Sequence, residues 1–534
     1  MALTVRTATL QLLRDLGIRT VFGNPGSTEL PLLGDWPDDF HYVLGLQEIV
    51  AVGMADGHAQ ASGQAAIVSL HSAAGVGHAL GAIFTAHKNQ TPMVVIAGQQ
   101  ERSLLPLQPF LGAHSATEFP KPYVKWSCEP ARAQDVPLAI AQAYEIAMQA
   151  PCGPTFVSVP ADDWAKPVAA LVSHGASRLI GPEPAMVSDF AATLNAARRV
   201  AVVYGPGVGR EGMQSLATTL VERLHADAWA SPMISRDGIA GDHPNFAGFL
   251  PAVPDRLADL LHGYDCVLVV GGPAFLFHVA GNLDAVGALR NVLQITDDAS
   301  SATASPFARS LVASLSLALP ALIEQIAARP EAPANEAQRA RLAARAQGVA
   351  QARAAAQDSV LTVDVIMSIL SDGVPHDAMF VEEIPSSKES MYRILPLRAS
   401  QRFYAMASGG LGFGLPAAIG VALASPGRRV VALIGDGSAM YSIQGLWTAV
   451  QENVDVTYVI FNNKGYGAMQ RFRRMMQLGK VPGIDLPGIE FTVIAKGLGC
   501  PASTARTPDE LRQALQQALK QSGPALIEVM MQTA

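Results

Sequence analysis

Along nearly the whole chain, short runs of β-branched residues alternate with Ala-rich stretches of helical spacing, which is the pattern of parallel α/β sheets. The first third carries such runs at 20–22 (TVF), 66–70 (AIVSL), 93–96 (MVVI) and 155–159 (TFVSV). A second series includes 200–204 (VAVVY) and 266–270 (CVLVV), and a third includes 430–434 (VVALI), 457–461 (TYVIF) and 525–529 (ALIEV). A chain of 534 residues holds three or four domains at roughly 150 residues each. Two stretches break the rhythm. Residues 170–185 are loop-like and carry prolines, and residues 329–358 are biased toward Ala, Arg and Gln, as a helix after its prolines or as a loose linker. The expected fold is therefore α/β, with three doubly wound parallel-sheet domains over 1–178, 182–328 and 359–534, joined by the 329–358 connector. The first and third blocks share a similar strand rhythm.

Composition removes several classes. Hydrophobic residues make up 49% and charged residues 16%, which excludes disorder as a global description. A net charge of -7 gives no reason to expect nucleic acid as a partner. Cys128, Cys152, Cys266 and Cys500 are far apart, with no CxxC pair, and read as idle thiols of a reducing compartment. The N-terminal segment alternates like an amphipathic helix and lacks the layout of a signal peptide, and no run of about 18 apolar residues occurs. The expectation is a soluble, cytoplasmic protein without a membrane partner.

The strongest local motif is Gly435-Asp436-Gly437-Ser438 followed by Asn462-Asn463. Each half directly follows an apolar strand, at the strand end where open α/β sheets place ligands. Mg²⁺ prefers six oxygens, usually one or two carboxylates together with substrate phosphates. Asp436 offers a carboxylate, Asn463 a side-chain carbonyl, and the backbone near Gly465 a third oxygen. The glycines let N–H groups approach a phosphate, and a helix opening after Ser438 would add its dipole.

The segment GDGSAMYSIQGLWTAVQENVDVTYVIFNN resembles the signature by which thiamine diphosphate-dependent enzymes hold Mg²⁺ and the cofactor diphosphate. That resemblance covers the whole chain, since the family has a pyrimidine-binding domain, a middle domain and a diphosphate-binding domain in this order. It implies thiamine diphosphate and Mg²⁺ as cofactors, with Gly409, Leu411, Gly435, Gly437, Ser438 and Tyr466 around the cofactor. Leu411, in GGLGFG, is the bulky residue expected beneath the bent cofactor. Glu48, in LGLQEIVAVGMADGHAQ, is the carboxylate expected to favour the imino tautomer of the aminopyrimidine. Buried in an apolar helix, it needs a partner or a raised pKa. The resemblance also implies a homodimer with shared active sites, usually paired into a homotetramer.

Four residues narrow the reading. Ser27 follows the first strand, His71 follows the AIVSL strand, and His278 follows the CVLVV strand of the middle block. With Glu48 they resemble the benzoylformate decarboxylase branch of this family, which is supported by LHSAAG, VKWS, ADDW and VPGIDLPGI. The implied reaction is non-oxidative decarboxylation of benzoylformate to benzaldehyde and CO2 through a cofactor-bound enamine, within mandelate degradation. Ser27 would position the substrate carboxylate, His71 would protonate the forming alkoxide and His278 the enamine carbon. Alternatives are a decarboxylase or carboligase for a longer or branched 2-oxo acid, an acetohydroxyacid synthase, and a nonenzymatic nucleotide-binding homologue. Taken alone, Ser27 and Glu48 could also be helix caps.

An aromatic substrate needs an apolar pocket, for which Phe110, Leu111, Ala405 and Phe472 are candidates. An aromatic residue is expected near Ala405, so the smaller side chain would widen the pocket. Glu383-Ile384-Pro385-Ser386 departs from the expected hydroxyl-rich segment. The Gly205-Pro206-Gly207-Val208-Gly209 turn resembles a dinucleotide loop, and we read it as serving tight packing in a middle domain without FAD.

Overall fold

The computed structural model describes residues 3–171, 175–329, 336–357 and 360–531. Parts of the expected boundaries, at 172–174, 330–335 and 358–359, lie outside the described residues. Three six-stranded sheets account for the described strands, and every pairing within them is parallel.

The first sheet contains β1 (Thr20–Gly23), β2 (His41–Leu44), β3 (Ala66–Leu70), β4 (Met93–Gln99), β5 (Ser127–Cys128) and β6 (Pro154–Pro160), in the order β2-β1-β3-β4-β6-β5. The second contains β7 (Val200–Tyr204), β8 (Asp227–Ala230), β9 (Phe246–Phe249), β10 (Cys266–Val270), β11 (Val292–Thr296) and β12 (Arg309–Val312), in the order β12-β11-β10-β7-β8-β9. The third contains β13 (Met379–Glu383), β14 (Arg402–Ala405), β15 (Val430–Gly435), β16 (Val456–Asn462), β17 (Ala502–Ala505) and β18 (Ala525–Met530), in the order β14-β13-β15-β16-β18-β17. The first and third sheets therefore repeat one topology, and the middle sheet has another.

The central strands are buried along their length, because helices cover both faces. Alternate residues feed different cores. Val431 and Leu433 enter a core private to the third domain, while Val430, Ala432 and Ile434 enter one shared with the first. The helix Glu48–Ser62 and the helix Gly414–Ala424 cross within this shared core. Glycines make the crossing close. A Cβ on Gly53 would lie 2.6 Å from Pro416 Cγ, one on Gly57 would strike the Ala417 carbonyl, and one on Gly420 would strike the Met54 carbonyl. The middle domain instead closes two cores on its own sheet.

The N-terminal segment forms the helix Val5–Asp15, whose Thr4 and Thr7 complete a reciprocal cap. Of the two readings of the second connector, the structure gives a helix, Glu336–Ala355. Its Ala352 is buried in the third domain's core. Gly205 and Gly207 of the dinucleotide-like turn pack against the Gly271 carbonyl, 2.6 Å from where either Cβ would sit. No helix of the described residues is long and apolar enough to cross a membrane.

Candidate active site

His71 immediately follows β3 and caps the helix Ser72–Lys88. Its Nδ1 lies 3.0 Å from Glu29 Oε2 and 3.0 Å from Thr28 Oγ1, while the Thr28 hydroxyl donates to Glu29 Oε1 at 2.5 Å. Glu29 is buried and also accepts the Gly26 N–H. A buried carboxylate on Nδ1 fixes the ring and leaves Nε2 for chemistry. Ser27 is exposed, one residue before this pair. It is not a helix cap, since the short helix Leu30–Leu33 is preceded by Glu29.

Glu48 begins the helix Glu48–Ser62 and is 8% exposed. Gln47 is the cap, accepting the Ile49 N–H, so Glu48 is free for another role. The partner required for a buried carboxylate is His78, whose Nδ1 lies 3.1 Å from Glu48 Oε2. His71 and His78 are two helical turns apart on one face. Between them stands Gly75, where a Cβ would lie 3.1 Å from Glu48 Oε1 and 3.3 Å from His71 Cβ. The first domain thus gathers Glu48, His71, His78 and Glu29 in one cluster. Next to His71, Ser72 has a positive φ of 41°, and its hydroxyl donates to the Leu111 carbonyl at 2.7 Å. This draws the segment carrying Leu111 and the 86%-exposed Phe110 toward His71.

In the third domain Asp436 follows β15 and is 4% exposed. Its carboxylate accepts the N–H groups of Gly437 at 2.7 Å and Gly465 at 3.0 Å. Asn463 Oδ1 accepts the same Gly465 N–H at 3.1 Å, so Asp436, Asn463 and Gly465 converge. Burial pushes the Asp436 carboxyl above its ordinary range, against the pull of those amides. A divalent cation would offset that cost, and carboxylate, amide and backbone carbonyl are the hard oxygen donors that Mg²⁺ takes. Among the described residues no group of three His, Cys, Asp or Glu could hold a metal, but a magnesium site of this type needs only one carboxylate. Asn462, the other member of the pair, turns away and donates to Glu528 at 2.7 Å.

Tyr466 packs its ring against Gly437, and the segment 484–486 straps the turn through bonds such as Tyr466 N–H to the Ile484 carbonyl. The helix expected after Ser438 starts earlier. Asp436–Ala439 is itself a helical turn, and the next helix opens only at Gly445, because the strand delivers Asp436 directly into helical geometry. Ser386 returns a hydroxyl to the segment judged poor in them. Its Oγ and the Asn463 amide lie 2.9 Å and 2.6 Å from a Cβ built on Gly467.

Leu411 sits in a loop that needs glycine, with φ of 75° at Gly409 and 103° at Gly412. Glu383, fully buried at the end of β13, accepts the Gly412 N–H at 2.6 Å and the Gly414 N–H at 2.5 Å. Burial drives its carboxyl up to about 8 despite those amides. A Cβ on Gly412 would lie 3.4 Å from Ile49, so the loop meets the helix of Glu48. His278, exposed after β10, meets the Phe472 ring edge-on at 5.6 Å.

Ala405 is corrected. Tyr404 and Ala405 point to opposite faces of β14, and Ala405 is fully buried in the third domain's own core with its N–H bonded to Ser235. Its side chain is shut off from solvent in the single chain. Glu29, Thr28 and His78 went unselected by sequence reasoning. The seven-residue offset of His78 from His71 was a readable signal, whereas Glu29 reaches His71 only through the fold.

Comparison with known proteins places these features in context. Residues 3–118, 187–322 and 385–529 match the N-terminal TPP-binding, central and C-terminal TPP-binding domains of thiamine pyrophosphate enzymes. The chain is 41% identical to benzoylformate decarboxylase of Pseudomonas aeruginosa, over 99% of both chains. Among solved structures it resembles benzoylformate decarboxylase of Polynucleobacter necessarius, with a TM-score of 0.91 and 36% identity over 99% of this chain and 98% of the other. It also resembles a thiamine diphosphate-dependent 4-hydroxybenzoylformate decarboxylase of Rhodococcus jostii, with a TM-score of 0.90 and 36% identity over all of both chains.

Proposed function

The chain belongs to the thiamine pyrophosphate enzymes and is a thiamine diphosphate-dependent 2-oxo acid decarboxylase, and on that premise we propose that its substrate is benzoylformate, released as benzaldehyde and CO2. The observation that carries the reading is the Thr28–Glu29–His71 arrangement beside Glu48. It supplies an oriented imidazole next to the carboxylate that a thiamine enzyme requires.

The residues divide the work as follows. Bound thiamine diphosphate supplies the electron sink into which the bond to CO2 breaks. Glu48 would hydrogen-bond to the ring nitrogen of the aminopyrimidine and so favour its imino tautomer. Asp436, Asn463 and the Gly465 carbonyl would hold Mg²⁺, and Gly435, Gly437, Ser438 and Tyr466 would bind the diphosphate. Leu411 would support the cofactor from a loop anchored by Glu383. Ser27 donates to the substrate carboxylate. His71 delivers a proton from Nε2 to the keto oxygen while Glu29 stabilises the ring on its other side. His278, beside Phe472, would protonate the carbon that has lost CO2, and the proton on the former keto oxygen would return to His71 as the aldehyde leaves, so that one proton is taken up overall. Phe110 and Leu111 face the aryl ring. An active site shared within a homodimer, itself paired into a tetramer, would cover groups such as Phe110 and Leu107, 86% and 74% exposed in the single chain.

The test is CO2 release from benzoylformate, 4-hydroxybenzoylformate and pyruvate, with thiamine diphosphate and Mg²⁺ present. The reading requires a kcat/KM for benzoylformate at least a hundredfold above that for pyruvate. A preference for pyruvate, or acetolactate as product, would replace it with the synthase reading. Weak turnover of all three would direct the search to longer or branched 2-oxo acids.

A further inference from the structure

A cavity of about 500 Å³ opens where the middle domain meets the third. It belongs to neither the His71–Glu48 cluster nor the Asp436 turn. One wall is aromatic. The rings of Phe249 and Tyr392 stack with an interplanar angle of 6°, Phe246 meets Phe249 edge-on at 5.3 Å, and Tyr204 lies tilted beside Phe246.

Elsewhere the lining is mixed, with four arginines among neutral groups such as Gln214, Ser215 and Thr218. Arg236, Arg345, Arg398 and Arg402 face it, against the carboxylates of Glu222 and Asp237. Both carboxylates are already engaged. Glu222 meets His243 at 3.3 Å, while Asp237 accepts from Gln214 at 2.7 Å and lies 3.5 Å from Arg402. Arg345, half-buried on the connector helix, and Arg398 have no side-chain hydrogen bond or ion pair among the described residues. Partial burial disfavours the charged form of Arg345, nearby Asp242 offsets part of that cost, and a bound anion would offset more. A void of this size falls within the range of small-molecule sites.

We propose that this cavity binds a small aromatic anion, its ring laid against the Phe249–Tyr392 wall and its negative group held by Arg345 and Arg398. Two sources share that chemistry, a nucleotide and an aryl carboxylate, and the planar forks of paired arginines suit phosphate and carboxylate alike. The position gives the site a route to the reaction centre. Arg402 and Phe403 line the cavity and begin β14, the strand is clamped to the middle domain through Ser235 and Arg236, and Gly409 follows four residues after its end.

The test is calorimetric titration of the holoenzyme with ADP and, separately, with benzoate, at low salt. The expected result is saturable binding of at least one, weakened tenfold or more in an Arg345→Ala/Arg398→Ala double variant whose KM for the 2-oxo acid is unchanged. Arg398→Glu alone, on a partly exposed segment, should weaken it in the same direction and guards against misfolding of the double variant. Which probe binds identifies the source. Absence of saturable binding by both probes at millimolar concentration would overturn the proposal. So would binding that survives both variants unchanged, as benzoate held only in the catalytic site would.

Discussion

The first and third domains use one strand order for two different chemistries. In both, the third strand of the repeat ends at a helix start, which is His71 after β3 and Asp436 after β15. In both, a buried carboxylate stands just beyond the first strand or at its end, Glu29 after β1 and Glu383 on β13. Glu29 serves a titratable ring, whereas Glu383 serves backbone amides. In both, the helix after the second strand crosses its counterpart, with Glu48 opening one and the Leu411 loop leading into the other. The lesson is that topology sets where functional groups stand, and the side chain at each place decides whether it moves a proton or holds a charge. On the proposed function, the first domain does acid–base work and the third anchors the cofactor.

Four measurements would break or sharpen that contrast. The largest effect belongs to Glu48→Gln, which should lower the decarboxylation rate by about 10³-fold with the thermal midpoint little changed, because general acid–base groups contribute about 10²–10⁴-fold. Near-normal turnover of this variant would remove the acid–base assignment of the first domain. Next, Gly420→Ala should cost about 3 kcal/mol, at the upper end of overpacking, as its methyl meets the Met54 carbonyl. Denaturant unfolding would read it, and the first and third domains should lose stability together. Third, Glu29→Ala should lower kcat by about 30-fold, since a hydrogen bond to a charged group is worth about 2 kcal/mol. KM should change little, and Glu29→Gln, which keeps an acceptor beside the ring, should recover part of the loss, a pattern that a purely structural role for Glu29 would not produce.

The smallest effect per unit change concerns Glu383. Its carboxyl titrates near 4.5 in the unfolded chain and at about 8 in the fold, so between those values the native state binds the extra proton. Stability should therefore fall as pH rises through that window, by at most about 1.4 kcal/mol per pH unit, and level off above it. Glu383→Gln should flatten the slope, and an unchanged slope would show that the anchoring carboxylate is ionised throughout.

The three-sheet architecture was legible because fully buried parallel strands read as continuous apolar runs, and each run named from the sequence lies in a strand of the structure. Short edge strands such as Ser127–Cys128 carry too little pattern to announce themselves. Asp436, Asn463 and Gly465 were readable together because both halves of their motif sit on adjacent strands of one domain. The Glu29–His71 pair was not, since 42 residues separate them and only β1–β3 pairing brings them together. Ala405 misled for a different reason. A motif position tells which strand a side chain is on, but the face it takes follows from the pleat, and Tyr404 took the other one.

The close crossing of the two central helices also decides where this enzyme can be altered. At Gly53, Gly57 and Gly420 no larger residue fits without displacing backbone or a rigid proline. Random mutagenesis across that seam should return insoluble protein far more often than altered catalysts. The stretch around Leu107 and Phe110, exposed in the single chain, meets no such seam within it. Libraries aimed at new aldehydes are best spent there, with the seam left untouched.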